Sequence, residues 1–392
     1  MSIRYHPLQE GEIRLIELLP GNWDDEIRFL FRNVLFSNLP QYQALSYVWG
    51  SSTTSRPIHE QFSGSELFVT TNLDLALRRL RNIDRSMTFW IDAVCIDQTN
   101  NAERTYQVQL MRNIYASSKQ VIIYLGEVLL PEAVNCSSGK STQSGRSNPY
   151  VFRGDSRDTD HIQPGQDYLT ASLIAAENGE WGFGLFLFIR ELAKNAETKR
   201  YGRTSLPSLF LGKGLNNPRF TVLFETFRLL MLCSWWTRVW VIQEVVVPEN
   251  VEIRYGPMTG PWHMFVSAAY CCQKRYSKQL PQYYAKVFDY FSGKILDTEG
   301  MRIYWRSGQG ASLLELLRRF SDRKATDERD KVYALLGLAS NDHRIVPTYT
   351  VPAADVLRET VLHIIKSSES LNVLSGDFSK KNRRDLPSWV HD

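Results

Sequence analysis

The sequence predicts an α/β fold in which helices cover a parallel sheet core, and two features carry that prediction. The runs "YQALSYVWG", "FWIDAVCI" and "QVIIYLG" are near-continuously apolar and of strand length, too apolar for a sheet with one wet face. Between them lie two stretches of helical periodicity, so the order is β-α-β-α-β, which favours parallel strands under helices. The chain has the material for such a core, with 392 residues of which 43% are hydrophobic and 12% aromatic.

The first elements are "EIRLIELLP" and "EIRFLFRNVLF", β-prone runs around the turn-rich "GNWDDE", which read as a hairpin and make 1–40 an N-terminal β extension. "YQALSYVWG" is a buried strand ending at Gly50. In "TTNLDLALRRLRN", Leu73, Ala76, Leu77 and Leu80 form the stripe of a helix, and Thr71 with Asp74 is spaced as a capping box. "FWIDAVCI" is the second strand. The next helix, "TNNAERTYQVQLMRNIYASS", carries Gln107, Met111, Ile114 and Tyr115 on one side and Asn100 and Glu103 as a cap. "QVIIYLG" is the third strand, closed by Gly126. Residues 131–166 turn polar and rich in Ser and Gly, which reads as a flexible insertion. Helical segments "LTASLIAAEN", "GLFLFIRELAKNAETKR" and "RFTVLFETFRLLMLCSWW" follow, and the strand "VEIRYGPM" completes a core spanning 41–255. The remaining 256–392 is a helical C-terminal part containing "SLLELLRRFSDR", "ATDERDKVYALLGLAS" and "AADVLRETVLHIIKSS".

The bulk numbers exclude several function classes. Net charge is +4 with a pI near 8.7, and Lys and Arg are scattered, so nothing marks a nucleic-acid interface. The five cysteines form no CxxC pair and no Cys/His ligand spacing, the pattern of reduced thiols in a cytoplasmic protein without a metal site. The N-terminus has no signal-peptide pattern, and the longest apolar region, 220–247, is broken by Glu225, Arg228, Arg238 and Glu244, so no membrane span is expected. No GxGxxG or GxxxxGK[ST] follows a strand; "FLGKGL" follows a helical segment and lacks the spacing.

Two carboxylates sit in apolar surroundings, where a charge is costly unless paired, hydrogen-bonded or used. In "TRVWVIQEVVVP", helical spacing puts Trp240 and Glu244 one turn apart with Arg238 nearby. An aromatic face, a carboxylate and a cation are the parts that hold a sugar–base ligand and stabilise a cationic sugar transition state. A buried Glu–Arg structural pair accounts for the same residues. Asp92, inside "FWIDAVCIDQ", is the second; on a regular strand Asp92 and Asp97 face opposite ways and make a poor metal pair. Asp92 therefore reads as an acceptor for a neighbouring loop, with Asp97 and Gln98 in the loop that follows. Ligands of such sheets bind beyond the carboxyl ends of the strands, so Tyr47, Trp49 and Gly50 are candidates, Trp49 either stacking on a ring or plugging the sheet end. Cys95 in mid-strand reads as a small buried hydrophobe, with no adjacent His to activate it. Arg329 and Asp330 form either a solvated helix start or a clamp between subdomains.

Five separated blocks carry a family resemblance: "YQALSYVWG", "WIDAVCIDQTNNAERTYQVQLMRNIYASSKQVIIYLGE", "WWTRVWVIQEV", "RKATDERDKVYALLGLA" and the terminal "LPSWVHD". In this order they resemble the fungal heterokaryon-incompatibility (HET) domain family, with Asp97 where the family often has Asn and Glu328 where Pro is common. The resemblance implies a cytoplasmic protein that helps trigger cell death when incompatible hyphae fuse, acting through self-association and an incompatibility partner or upstream sensor. HET domains are remotely similar to TIR domains, which implies a TIR/flavodoxin-like fold. "ALSYVWG" is similar to the first TIR strand with its Ser-Tyr, and Asp92 takes the place of the Asp of the second. Trp240 to Glu244 is similar to the Trp-Cys-x-x-Glu motif, with Val241 replacing the Cys. That similarity implies a Glu244 that catalyses NAD+ cleavage. Trp240, Tyr47 or Trp49 would stack on a ring, and Ser46, Asp92 and Gln98 would order the loops. NAD+ would be substrate, and no metal or other cofactor is required. A non-enzymatic TIR-like adaptor is the alternative.

Overall fold

The computed structural model describes residues 3–51, 53–129, 149–164, 166–197, 218–275, 281–340, 345–375 and 385–387. Most of the polar stretch expected as an insertion, the "FLGKGL" segment and the end of "LPSWVHD" lie outside these residues.

The strands are β1 Glu12–Leu18, β2 Arg28–Leu35, β3 Gln43–Tyr47, β4 Ser55–Glu60, β5 Glu66–Thr70, β6 Met87–Trp90, β7 Gln120–Tyr124, β8 Tyr150–Val151, β9 Val251–Tyr255 and β10 Met258–Pro261. They form one mixed sheet in the order β5-β4-β2-β1-β6-β3-β7-β9-β10-β8. Its centre is parallel, as the two-sided apolar runs predict: β3 pairs in parallel with β6 and with β7, and β7 with β9. Ala44 to Tyr47 and Val121 to Tyr124 are buried without a break, because both faces of these strands are covered. The N-terminal hairpin forms as expected and continues the same sheet, since β1 runs antiparallel to β6.

The helices are α1 Thr71–Leu80, α2 Asp92–Cys95, α3 Asn101–Ser117, α4 Tyr168–Glu177, α5 Trp181–Glu197, α6 Pro218–Leu232, α7 Trp240–Val246, α8 Trp262–Arg275, α9 Gln282–Arg306, α10 Leu313–Arg319, α11 Asp330–Leu336 and α12 Ala353–Ser368. α3 buries Gln107, Met111, Ile114 and Tyr115, the face its periodicity indicates. α5, α6 and α9 share a phenylalanine cluster around Phe188, Phe224, Phe227 and Phe288, with ring centroids 5.5–6.4 Å apart. No helix among the described residues is long and apolar enough to cross a membrane.

Several local expectations are corrected. "FWIDAVCI" is not one strand: β6 stops at Trp90, and Asp92 to Cys95 make a single helical turn. Asp92 Oδ1 accepts from the Ala93 N–H (2.7 Å), a local bond that competes with the sheet ladder. The cap of α1 is Thr70, which accepts from Leu73 N, while Asp74 is ion-paired with Arg56 (3.3 Å) and Arg78 (3.1 Å). Asn100 caps α3 as expected, but Glu103 turns to Arg14 at 2.6 Å instead of returning to the cap. Within the expected insertion two side chains are packed: Phe152 is 2% exposed and Asp158, 1% exposed, accepts from the backbone of Arg153 and Gly154. The β4–β5 hairpin on the sheet edge had no counterpart in the sequence pattern, because "SRPIHE" is largely polar and contains a proline.

Candidate functional site

The site forms where β3 and β6 end and α7 begins. α7 has only seven residues, too short to hold itself, so outside groups hold it. Lys324 forms a bridge alongside Arg238, donating its N–H to Thr237 O (2.6 Å) and accepting from Val239 N (2.9 Å). Arg323 donates to Trp236 O, just before α7. At the other end, where helix carbonyls lack partners, Arg302 donates to Val245 O and Glu249 O, and Arg306 to Glu249 O (2.9 Å). Arg302 and Arg323 are each 3% exposed. Burial and neighbouring Arg306 lower the pKa of Arg302 to about 10.

This frame carries Glu244 into the core, where it is 2% exposed. Ser46, on β3, donates its hydroxyl to Glu244 Oε2 and accepts from the Trp235 indole N–H at 2.7 Å. Burial pushes the Glu244 carboxyl up to about 7; the Arg238 charge and the Ser46 hydrogen bond oppose that rise, and the Asp92 charge adds to it. Arg238 does not form the direct ion pair that the sequence allows. Its guanidinium donates to the Tyr47 carbonyl, and it acts on Glu244 and Asp92 through space.

Asp92 sits half-buried at the rim, its pKa raised by burial and held back by Arg238, by the Trp49 indole N–H and by Ala93 N. Trp49, 39% exposed, donates to Asp92 Oδ2 at 2.9 Å. Gln98 donates to the Asp92 carbonyl at 3.0 Å. Gly50 turns the chain away at φ +78°, a conformation that favours glycine. Ser46, Tyr47, Trp49, Asp92, Gln98, Arg238 and Glu244 thus lie around the carboxyl ends of β3 and β6. Trp240 does not join them: its indole N–H faces the Asp330 carboxylate on α11, which also accepts from Tyr349 Oη at 2.7 Å. Arg329 donates to the carbonyls of Tyr349 and Val351, so Arg329 and Asp330 clamp the 349–351 segment. Trp235 was missed; its position next to Trp236 in "WWTRVW" is the only signal the sequence offers.

Cys95 is fully buried, its thiol raised to about 12 chiefly by burial, and its sulfur accepts from Ile91 N (3.3 Å). A thiol held that far above neutrality is no nucleophile. Among the described residues, no group of three or more His, Cys, Asp and Glu side chains is placed to hold a metal ion.

A model of the heterokaryon incompatibility protein (HET) family matches residues 42–244, from the strand that carries Ser46 to Glu244 itself. The chain belongs to the HET family. It is similar to Heterokaryon incompatibility protein 6, OR allele, of Neurospora crassa, with 26% identity over 431 residues covering 96% of this chain and 57% of that protein. The chain therefore spans little more than half the length of that relative. No solved structure matches it. The groups that brace α7 from outside, Arg302, Arg306, Arg323 and Lys324, all lie beyond the matched HET segment.

Glu244 predicts a pH signature for this HET chain. Its folded pKa lies above the unfolded value, so the folded state binds the extra proton and stability falls as pH rises between about 4.5 and 7. The shift corresponds to about 3 kcal/mol. Glu244→Gln should lack that component: the difference in stability between variant and wild type, measured by urea unfolding, is expected to grow across this window in favour of the variant. A constant difference would contradict the assignment.

Proposed function

We propose that this chain acts in heterokaryon incompatibility in the cytoplasm, and that its site kills by hydrolysing the nicotinamide–ribose bond of NAD+. The reading rests on the convergence of Glu244, Asp92 and Arg238 at the carboxyl ends of β3 and β6, beside the exposed Trp49 ring. NAD+ enters as substrate. The C1′–N bond breaks, nicotinamide leaves as the neutral base, water adds to C1′ and loses a proton, and ADP-ribose remains. The ionised Glu244 carboxylate faces the positive charge that develops on the ribose, and a low-dielectric surrounding strengthens that interaction. Asp92 and Gln98 order the rim, and Trp49 offers a ring face for stacking. Self-association or a sensor partner would set when the site works.

The reading is tested by incubating the purified chain with NAD+ over a wide range of protein concentration. Nicotinamide release in proportion to protein supports it; unchanged NAD+ at every concentration overturns it. A second reading, a non-enzymatic TIR-like adaptor, is favoured by the 2% exposure of Glu244 and by the engagement of Trp240 with Asp330. It predicts association-dependent signalling with NAD+ untouched.

A further inference from the structure

Trp235, Ser46 and Glu244 form a buried chain of hydrogen bonds in which chemistry fixes the role of each partner. An indole N–H can only donate, so the Trp235 ring takes a lone pair of Ser46 Oγ at 2.7 Å. The one hydrogen of that hydroxyl then goes to its other partner, Glu244 Oε2. If Glu244 donated instead, the Ser46 hydrogen would lose this acceptor, a costly state in a dry setting. A bond received by the Ser46 oxygen also polarises its O–H and strengthens the bond that it gives. Both effects favour the carboxylate form of Glu244.

Trp235 is held where it can do this. It lies in the 3-10 turn Ser234–Thr237 just before α7, edge-on to Trp236 with ring centroids 4.9 Å apart. Trp236 is tied down in turn, its indole N–H donating to Leu230 O at 2.9 Å and its carbonyl accepting from Arg323. The other charged or titratable groups that bear on Glu244 are Arg238 ahead of α7, Asp92 on α2, Tyr47 on β3 and Tyr115 on α3. α9 and α11 also pack on α7, bringing Arg302 to Val245 O and Asp330 to Trp240.

We infer that Trp235 is a positioning residue of the proposed hydrolase: through Ser46 it orients the Glu244 carboxylate and favours its ionised form. The inference deepens the NAD+ reading and rests on it for the chemistry that the carboxylate serves. Trp235→Phe removes the donor and keeps an aromatic ring.

The experiment follows wild type, Trp235→Phe, Ser46→Ala and the double variant from about pH 5 to pH 9, by urea unfolding and by nicotinamide release. In wild type the fall in stability with rising pH ends near pH 7, once Glu244 has ionised. In Trp235→Phe the folded midpoint is expected about half a unit to one unit higher, so the fall continues to higher pH. Turnover at pH 7 drops by about 2- to 5-fold and recovers by about pH 9, where both proteins are ionised. On the Ser46→Ala background Trp235→Phe moves the midpoint no further, because the effect passes through Ser46. A midpoint unmoved by Trp235→Phe, even with a uniform loss of stability, overturns the inference, and so does an equal movement with and without Ser46. The wild type gives a second measurement that needs no change at Trp235. Its indole N–H resonance should shift with the Glu244 titration and stay fixed in Glu244→Gln; a resonance insensitive to pH overturns the inference. Wild type that releases no nicotinamide overturns the hydrolase reading alone, and unfolding and the resonance still decide whether Trp235 acts on Glu244.

Discussion

Glu103→Ala is expected to destabilise the fold by about 3–5 kcal/mol, the range for removing one partner of a buried ion pair. Arg14 is fully buried in the middle of β1, and its guanidinium meets both Glu103 oxygens at 2.6 and 3.3 Å. It also donates to the carbonyls of Cys95 (2.7 Å) and His6 (2.8 Å), while Glu103 accepts from Asp97 N at 2.8 Å. Without Glu103 the arginine keeps its charge in the core, and the Asp97 N–H loses its partner. The 95–97 segment leads from Asp92 to Gln98, so the damage extends to the rim of the candidate site. Urea unfolding checks the size of the effect. The paired change Arg14→Met with Glu103→Leu should recover only part of the loss: it removes the unpaired buried charge, while the Asp97 N–H and the Cys95 and His6 carbonyls stay without those partners. A loss under about 1 kcal/mol for Glu103→Ala, the size of a surface pair, would contradict this account.

Glu244→Gln is expected to lower NAD+ turnover by about 1000-fold or more, or about 4 kcal/mol of transition-state stabilisation. The amide keeps the shape, and its oxygen still accepts from Ser46, so the variant folds. What it lacks is a negative charge. Because burial holds the Glu244 carboxyl near pH 7, wild-type turnover should rise as pH increases through about 7, where the carboxylate forms. Stability runs the opposite way over the approach to that pH, since ionising a buried group costs the folded state. This opposition is expected of a residue kept for chemistry and not for packing. A structural carboxylate would give a stability trend and no activity to follow it.

The parts of the fold legible in the sequence were those written in periodicity. The α1 stripe, the α3 face and the apolar runs of β3 and β7 each report burial directly, and each stands where expected. β6 was over-extended because an apolar run cannot distinguish a buried strand from a buried helical turn; Asp92, binding the next amide, decides between them. The site was half legible. Asp92 and Glu244 stand out as carboxylates among apolar neighbours, whereas Ser46 is indicated only by the family resemblance. Trp235 reaches Ser46 across 189 residues of sequence, a pairing no local pattern contains. Arg302 and Arg323 were invisible for a different reason: they bind backbone carbonyls, and every residue type has one. Trp240 was misassigned because helical spacing shows that two side chains share a face, not that they share a partner.

The most direct test of the central claim is nicotinamide release from NAD+ by wild type and Glu244→Gln, at matched concentration and pH 8, with unfolding curves showing both folded. The account predicts release by wild type and a loss of about 1000-fold or more in the variant. Equal release by the two proteins, or none by wild type, would contradict a catalytic Glu244.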